Sequence, residues 1–184
     1  KIDTLVRLLL ADPTGYSLIF CRTRRGCAEV TDILTKRGVA ADAIHGDLNQ
    51  AARERVINRM RAKSLNVLVA TDVAARGIDV SHLTRVINFD YPDSAETYTH
   101  RIGRTGRAGA SGTAVTLVTP SEHRKLRFLK KAIKYDIQET DPPSNAEIAK
   151  QQRAILWGEV ESVLTTVDLV HEFEWLQEVA GTEE

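Results

Sequence analysis

The stretch His100-Arg101-Ile102-Gly103-Arg104-Thr105-Gly106-Arg107 sets three arginines three residues apart with two glycines between them. A guanidinium keeps its charge and donates two parallel hydrogen bonds to a phosphate, so this spacing suits a polyphosphate or a nucleic-acid backbone. The glycines let the chain turn so that the three side chains converge; a solvated basic loop is the plainer alternative. Ala70 to Asp79 (ATDVAARGID) follows an apolar run directly. Thr71 and Asp72 stand at its end, Arg76-Gly77 permits close backbone approach, and Asp79 offers a carboxylate that can accept from a hydroxyl. Asp72 also reads as a simple helix cap. In His45-Gly46-Asp47-Leu48-Asn49-Gln50-Ala51-Ala52-Arg53, Asn49 begins a helix, which puts Gln50 and Arg53 one turn apart at its positive end, where a phosphodiester is favoured. Thr23-Arg24-Arg25-Gly26 forms a similar helix start. Each alone is an ordinary cap. Side by side at one edge of one sheet, the two would make a track for a nucleic-acid backbone.

The elements that must position these groups follow from periodicity. Ile2, Leu5, Val6, Leu9 and Leu10 recur at helical spacing until Asp12-Pro13-Thr14-Gly15 stops them. Short apolar runs at 17–21, 39–44, 66–70, 85–89 and 112–119 read as strands. Helices are expected over 23–37, from Asn49, from Ser94 to about Ile102, and from Ser121 to about Lys134. The strands are continuous apolar runs rather than alternations, the mark of a parallel sheet covered on both faces. Ligands of such sheets bind at loops beyond the carboxyl ends of the strands.

The 184 residues are 27% charged and 42% hydrophobic with a formal net charge of zero, enough to bury a core. That zero hides an asymmetry. Residues 1–135 hold 23 Lys and Arg against 13 Asp and Glu, a net +10, and residues 136–184 hold 2 against 12, a net −10. A basic body suits a polyanion, and the sign change places a boundary near Asp136 to Pro143. No apolar run approaches the roughly 18 residues of a membrane span. Cys21 and Cys27 cannot build a disulfide framework, which points to a reduced, cytoplasmic setting. The chain starts at Lys1 without a Met or a signal peptide, suggesting a piece cut from something longer. His82, His123 and His171 lack metal-ligand spacing, so no metal site is expected in this chain.

Taken together, Phe20 to Gly26, His45-Gly46-Asp47 with Gln50 to Arg53, Ala70 to Asp79 and His100 to Arg107 resemble, in order and spacing, motifs IV, IVa, V and VI of DEAD-box RNA helicases. The resemblance covers roughly residues 1–139 and concerns the second, C-terminal RecA-like domain of the helicase core. It implies an α/β fold with a parallel sheet flanked by helices on both faces, to which the breaker and apolar stripes of the tail add a small helical C-terminal extension over 140–184. It makes Arg107 the arginine finger on the ATP γ-phosphate and Arg104 its companion. Asp79 would lie near the nucleotide ribose with Gly77 beside it, and His100 would link the nucleotide to the other domain. Thr71, Gln50 and Arg53 would grip the RNA sugar-phosphate backbone, with Thr23 and Gly26 doing likewise, and Arg76 would support the interdomain interface. The implied partners are RNA and an N-terminal RecA-like domain of the same protein, and the implied cofactor is ATP with Mg²⁺ held mainly by that domain.

No Gly-x-x-x-x-Gly-Lys-Ser/Thr and no Asp-Glu-Ala-Asp occurs in the 184 residues, so the chain alone is expected to be catalytically inactive. The alternative function is a non-catalytic RNA-binding or dimerisation module; an interdomain finger has no purpose there, which favours the enzyme. In the acidic tail, Asp141-Pro142-Pro143 breaks the chain and Ser144-Asn145-Ala146-Glu147 fits a capping box. A helical stripe of Ala149, Leu156, Val160 and Val163 follows, then one of Leu169, Phe173, Leu176 and Val179. This pattern resembles the helical extension with which bacterial cold-shock-type DEAD-box helicases dimerise. Three arrangements fit it: a homodimer through 144–184, packing on the chain's own domain, or an acidic cover over the basic face.

Overall fold

Four-residue apolar runs cannot satisfy their backbone groups alone, and in this chain they pair into one sheet. A computed structural model describes residues 1–106, 109, 111–133 and 136–166. The strands are β1 (Ser17–Phe20), β2 (Ala41–Ile44), β3 (Val67–Ala70), β4 (Arg85–Asn88) and β5 (Thr113–Thr116). Every pairing is parallel, in the order β2-β3-β1-β4-β5. β1, β3 and β4 are buried at all four positions, as expected for strands covered on both faces.

The helices are α1 (Ile2–Ala11), α2 (Arg24–Lys36), α3 (Gln50–Arg61), α4 (Asp72–Ala75), α5 (Ala95–Ile102) and α6 (His123–Ala132), with α7 (Asn145–Thr166) in the tail. One core cluster sets Leu5, Val6 and Leu9 of α1 and Val30 and Leu34 of α2 against Ile19, Val69 and Ile87. The other sets Val56 and Met60 of α3, Ala74 and Ala75 of α4 and Ile78, Val80 and Leu83 against Leu18, Phe20, Leu68 and Val86. Each fully buried Leu, Ile or Val contributes roughly 1.5–3 kcal/mol, so this two-sided burial is the main term holding the layers together. Arg85 pins the sheet's other end: buried, it donates to Ser17 Oγ at 2.9 Å and to the Leu8 and Asp12 carbonyls at 3.2 and 3.1 Å.

Several boundaries differ from expectation for local reasons. The second strand begins at Ala41, because Val39 N–H still closes the preceding helix on the Leu34 carbonyl at 3.0 Å. The sixth helix does not open at Ser121. Thr119 and Glu122 form a capping box around a single 3₁₀ turn at Pro120–Glu122, and α6 starts at His123. α4 is a single turn that periodicity could not announce.

The chain divides into two units, Lys1–Pro142 and Pro143–Glu184. In the second, the Ser144–Glu147 box forms: Ser144 N–H donates to Glu147 Oε2 at 2.6 Å and Glu147 N–H to Ser144 Oγ at 3.2 Å. Leu156, Trp157, Val160, Val163 and Leu164 of α7 are exposed. The second tail stripe lies outside the described residues.

Glu122 gives the first unit an acid-sensitive point. Burial alone would raise its pKa, but the Lys1 ammonium at 2.8 Å and the Thr119 N–H and hydroxyl, each at 2.8 Å, hold it down at about 2. A carboxylate depressed from its ordinary 4.5 stabilises the fold above that pH, and the contribution is lost as pH falls toward about 2. Glu122→Gln is therefore expected to lower the urea midpoint at pH 7 and to flatten the loss of stability between pH 4.5 and 2. An unchanged acid limb would contradict the assignment.

Candidate nucleic-acid and nucleotide sites

Three adjacent strands end at one edge of the sheet, and each feeds a capped helix. After β1, Thr23 caps α2 by accepting from Gly26 N–H at 3.0 Å. A side chain at Gly26 would stand 3.1 Å from the Thr23 hydroxyl and crowd the cap. After β2, Asn49 caps α3 by accepting from Ala52 N–H at 2.8 Å, with Gln50 and Arg53 on the first turn. After β3, Thr71 caps α4 by accepting from Ala74 N–H at 3.4 Å. The motif order predicts the starts of α2 and α3 beside each other. The strand order corrects this: β3 lies between β2 and β1, so Thr71 stands between them. At about 4.8 Å per strand the three caps span roughly 10 Å, a continuous strip of helix N-termini.

Side-chain bonds tie the strip together. Arg24 of α2 pairs with Asp47 before α3, Gln50 Nε2 donates to Glu54 Oε1 at 2.7 Å, and Arg53 Nη2 donates to the Arg76 carbonyl at 2.9 Å. Arg53 thus spans from the β2 loop to the segment after α4. Thr23, Gln50, Arg53 and Thr71 all come to this edge. Thr71 is the most buried of them, 9% exposed.

The second group lies where residues 76–84 run back toward the start of β4. Gly77 has φ +73°, a left-handed turn that a β-carbon would strain, and it swings the chain so that Asp79 is exposed. The Asp79 carbonyl accepts from Arg61 Nε at 3.2 Å, and its carboxylate makes no ion pair among the described residues. At the end of α5, His100 is exposed and Arg104 half-buried. Thr105 Oγ1 donates to the Leu83 carbonyl at 2.6 Å, binding this loop to the 76–84 segment. Gly112 backs it so closely that a β-carbon there would collide with Thr105 and the Gly106 nitrogen. Arg107 lies outside the described residues.

Arg101 departs from the convergence expected of the triplet. Arg101 is 3% exposed and points into the protein. Its Nε and Nη2 meet both Asp72 oxygens at 2.7 and 2.8 Å, Nη1 reaches Asn88 Oδ1 at 3.0 Å and the Asp90 carbonyl at 2.8 Å, and its guanidinium lies 5.0 Å from the Phe20 ring centre. Asp72 is therefore not the cap: Thr71 caps α4, and both Asp72 carboxylate oxygens accept from Arg101. The pair locks α4, beside Thr71, to α5, which carries His100 and leads to Arg104. One signal could have found it, since Tyr98 and Arg101 sit three apart on the buried stripe of α5. Among the described residues no three His, Cys, Asp or Glu side chains cluster as a metal site.

Residues 1–109 match the family model of the helicase conserved C-terminal domain. The chain belongs to that family. It is 42% identical over 171 residues to the DEAD-box ATP-dependent RNA helicase CshA of Bacillus anthracis, covering 93% of this chain and 32% of that protein. Among solved structures, a DEAD box protein from Methanococcus jannaschii is 44% identical, with a TM-score of 0.70 over 76% of this chain and 38% of that one. Saccharomyces cerevisiae Dbp5 bound to RNA and ADP BeF3 is 32% identical, with a TM-score of 0.71 over 83% of this chain and 40% of that one. The fold is thus RecA-like, that of a C-terminal helicase domain of a DEAD-box protein. The helicase domain, with its tail, spans about a third of the length of the curated relatives it matches.

Proposed function

We propose that the chain is the second motor domain of an ATP-dependent RNA helicase, supplying arginine fingers to the nucleotide and a sequence-independent grip on the RNA backbone. The observation that carries this reading is the Arg101–Asp72 pair, which joins the strip of helix caps to the helix bearing His100 and leading to Arg104. Thr23, Gly26, Gln50, Arg53 and Thr71 offer hydroxyl, amide, guanidinium and backbone donors, groups that meet phosphates and sugars and carry no base information.

The nucleotide-facing residues fit a triphosphate and its ribose. The exposed Asp79 carboxylate without an ion pair can accept from ribose hydroxyls. Gly77 leaves room for close approach, and Arg104 with Arg107 can meet charge on the phosphates. Bound ATP supplies the phosphoryl group, and an arginine arriving from a second domain offsets charge on its equatorial oxygens. The reading places the Mg²⁺ carboxylates and the phosphate-cradling loop in the first motor domain, and His100 and Arg76 at the interface with it. Pairing of two copies through 144–184 is a further part of the reading. Leu156, Val160 and Val163 give α7 an exposed stripe, while Phe173 and Leu176 lie outside the described residues. No helix among the described residues is long and apolar enough to cross a membrane.

The test is complementation. Alone, the chain is expected to show no RNA-stimulated ATP hydrolysis; adding the first motor domain of a related DEAD-box helicase, in trans or fused upstream, should restore it. Turnover by the chain alone, with contaminating ATPases excluded, would overturn the reading.

A further inference from the structure

The β4 side of the same sheet edge carries a feature that none of the helicase motifs uses. A groove of about 320 Å³ lies between the 91–95 loop and α6, with Tyr91, Pro92, Ala95, Phe128 and Leu129 among its walls. Phe128 is 62% exposed, unusual for a large aromatic ring, and Arg124 lies 6.0 Å from its centre. Lys125 lines the groove, Arg124 stands one turn before Phe128, and Arg127 and Lys131 are also exposed on α6. None of these four cations has an ion-pair partner among the described residues. The one carboxylate in the lining, Asp93, is paired with Arg22 at 3.2 Å. The Tyr91 hydroxyl is buried with no hydrogen-bond partner among the described residues, and burial pushes its pKa up to about 12, so it is a neutral donor.

Arg22 connects this groove to the strip of caps. It follows β1 directly before Thr23, its N–H donates to Asp90 at 2.8 Å, and its guanidinium donates to the Tyr91 carbonyl at 3.3 Å. The groove thus continues the carboxyl edge of the sheet from β1 past β4 toward α6. A solvent-exposed aromatic ring set among unpaired cations is the arrangement that holds single-stranded nucleic acid, with stacking on the ring and the cations tracking the phosphates.

We propose that the groove between the 91–95 loop and α6 is a second contact for single-stranded RNA, in which a base stacks on Phe128 while Arg124, Lys125 and Lys131 hold the backbone. This inference rests on the RNA reading of the cap strip, and it extends the bound strand beyond that strip. An acidic protein segment would meet the same cations, but the exposed flat ring and the continuity with the strip favour RNA.

The experiment uses the 184-residue chain and a fluorescein-labelled 20-nucleotide oligo(U) at low salt, read by anisotropy. Phe128→Ala and the double change Arg124→Glu/Lys131→Glu are each expected to weaken binding at least about fivefold. The double change should also reduce the salt slope by about 1.4, at roughly 0.7 for each phosphate no longer neutralised. Lys36→Glu/Arg37→Glu, an equal charge change at the end of α2, should leave affinity within about twofold. A 20-mer carrying 5-iodouridine should crosslink to the peptide spanning residues 124–132. Phe128 is exposed, so the variant is expected to fold, with melting as the check. Unchanged affinity in the folded Phe128→Ala variant, or no crosslink in 124–132, overturns the proposal and leaves an acidic partner for the groove. Arg53→Ala separates the two readings: if it fails to weaken binding while the groove variants succeed, the cap strip is wrong and the groove stands.

Discussion

Arg104→Ala, in a protein carrying both motor domains, is expected to lower kcat for RNA-stimulated ATP hydrolysis at least about a hundredfold, with a much smaller change in KM for ATP. Arginine fingers in phosphoryl-transfer enzymes are worth about 10³–10⁵ in rate, because they meet charge that develops only in the transition state. An interaction made only there lowers kcat and kcat/KM together. The structure gives Arg104 a defined perch. Its N–H is bonded to the Arg101 carbonyl at 3.1 Å, and the following Thr105 is anchored to Leu83, so the loop is braced from both sides. Arg104→Lys is expected to fail almost as badly, since an ammonium cannot present two parallel donors. Arg107→Ala is expected to match it. Rapid-quench measurement of the hydrolysis step separates this from slow product release. Near-normal single-turnover rates in Arg104→Ala would remove it from the finger pair.

Arg101→Ala is expected to cost about 2–4 kcal/mol of unfolding free energy, since a buried guanidinium is removed from acceptors and packing while its partner, the Asp72 carboxylate, is half-exposed and partly rehydrated. The change leaves the Asp72 carboxylate without its guanidinium and Asn88 Oδ1 and the Asp90 carbonyl without a donor, and it empties the space over Phe20. For a domain of this size that is a drop in Tm of roughly 8–16 °C. Arg101→Lys keeps the charge but loses the two-pronged contact with Asp72, and should recover only part of the loss. The pairwise nature of the effect is checked by a double-mutant cycle with Asp72→Asn, where the combined loss should fall well short of the sum. Additive losses would mean that Arg101 acts through packing alone. If Arg101 only stabilised the fold, Arg101→Lys below its melting temperature would retain normal RNA-stimulated kcat. As the link between α4 and α5 it should lower kcat as well.

Much of this molecule was set by its sequence through interactions that reach three or four residues. Thr23, Asn49 and Ser94 each sit three residues before the N–H they cap, and Ser144 and Glu147 complete each other at the same distance. The continuous apolar runs required a sheet covered on both faces, and the motif spacing pointed to the RecA-like helicase domain. What only the tertiary structure decided depends on partners far along the chain. Strand order is one such outcome. Ser17–Phe20 pairs with Val67–Ala70 across some fifty residues, and that pairing sets Thr71 between the two other caps. The divergence of Arg101 from Arg104 is another. Arg101 and Arg104 are the same residue type three positions apart, but a carboxylate 29 residues away draws Arg101 inward and leaves Arg104 half-buried on the loop that Thr105 ties to Leu83. The groove at Phe128 is a third, made where the loop after β4 meets the helix after β5. Capping and periodicity are local free energies and can be read along the chain, whereas burial of one charge rather than its neighbour is settled only when distant segments meet and exclude water.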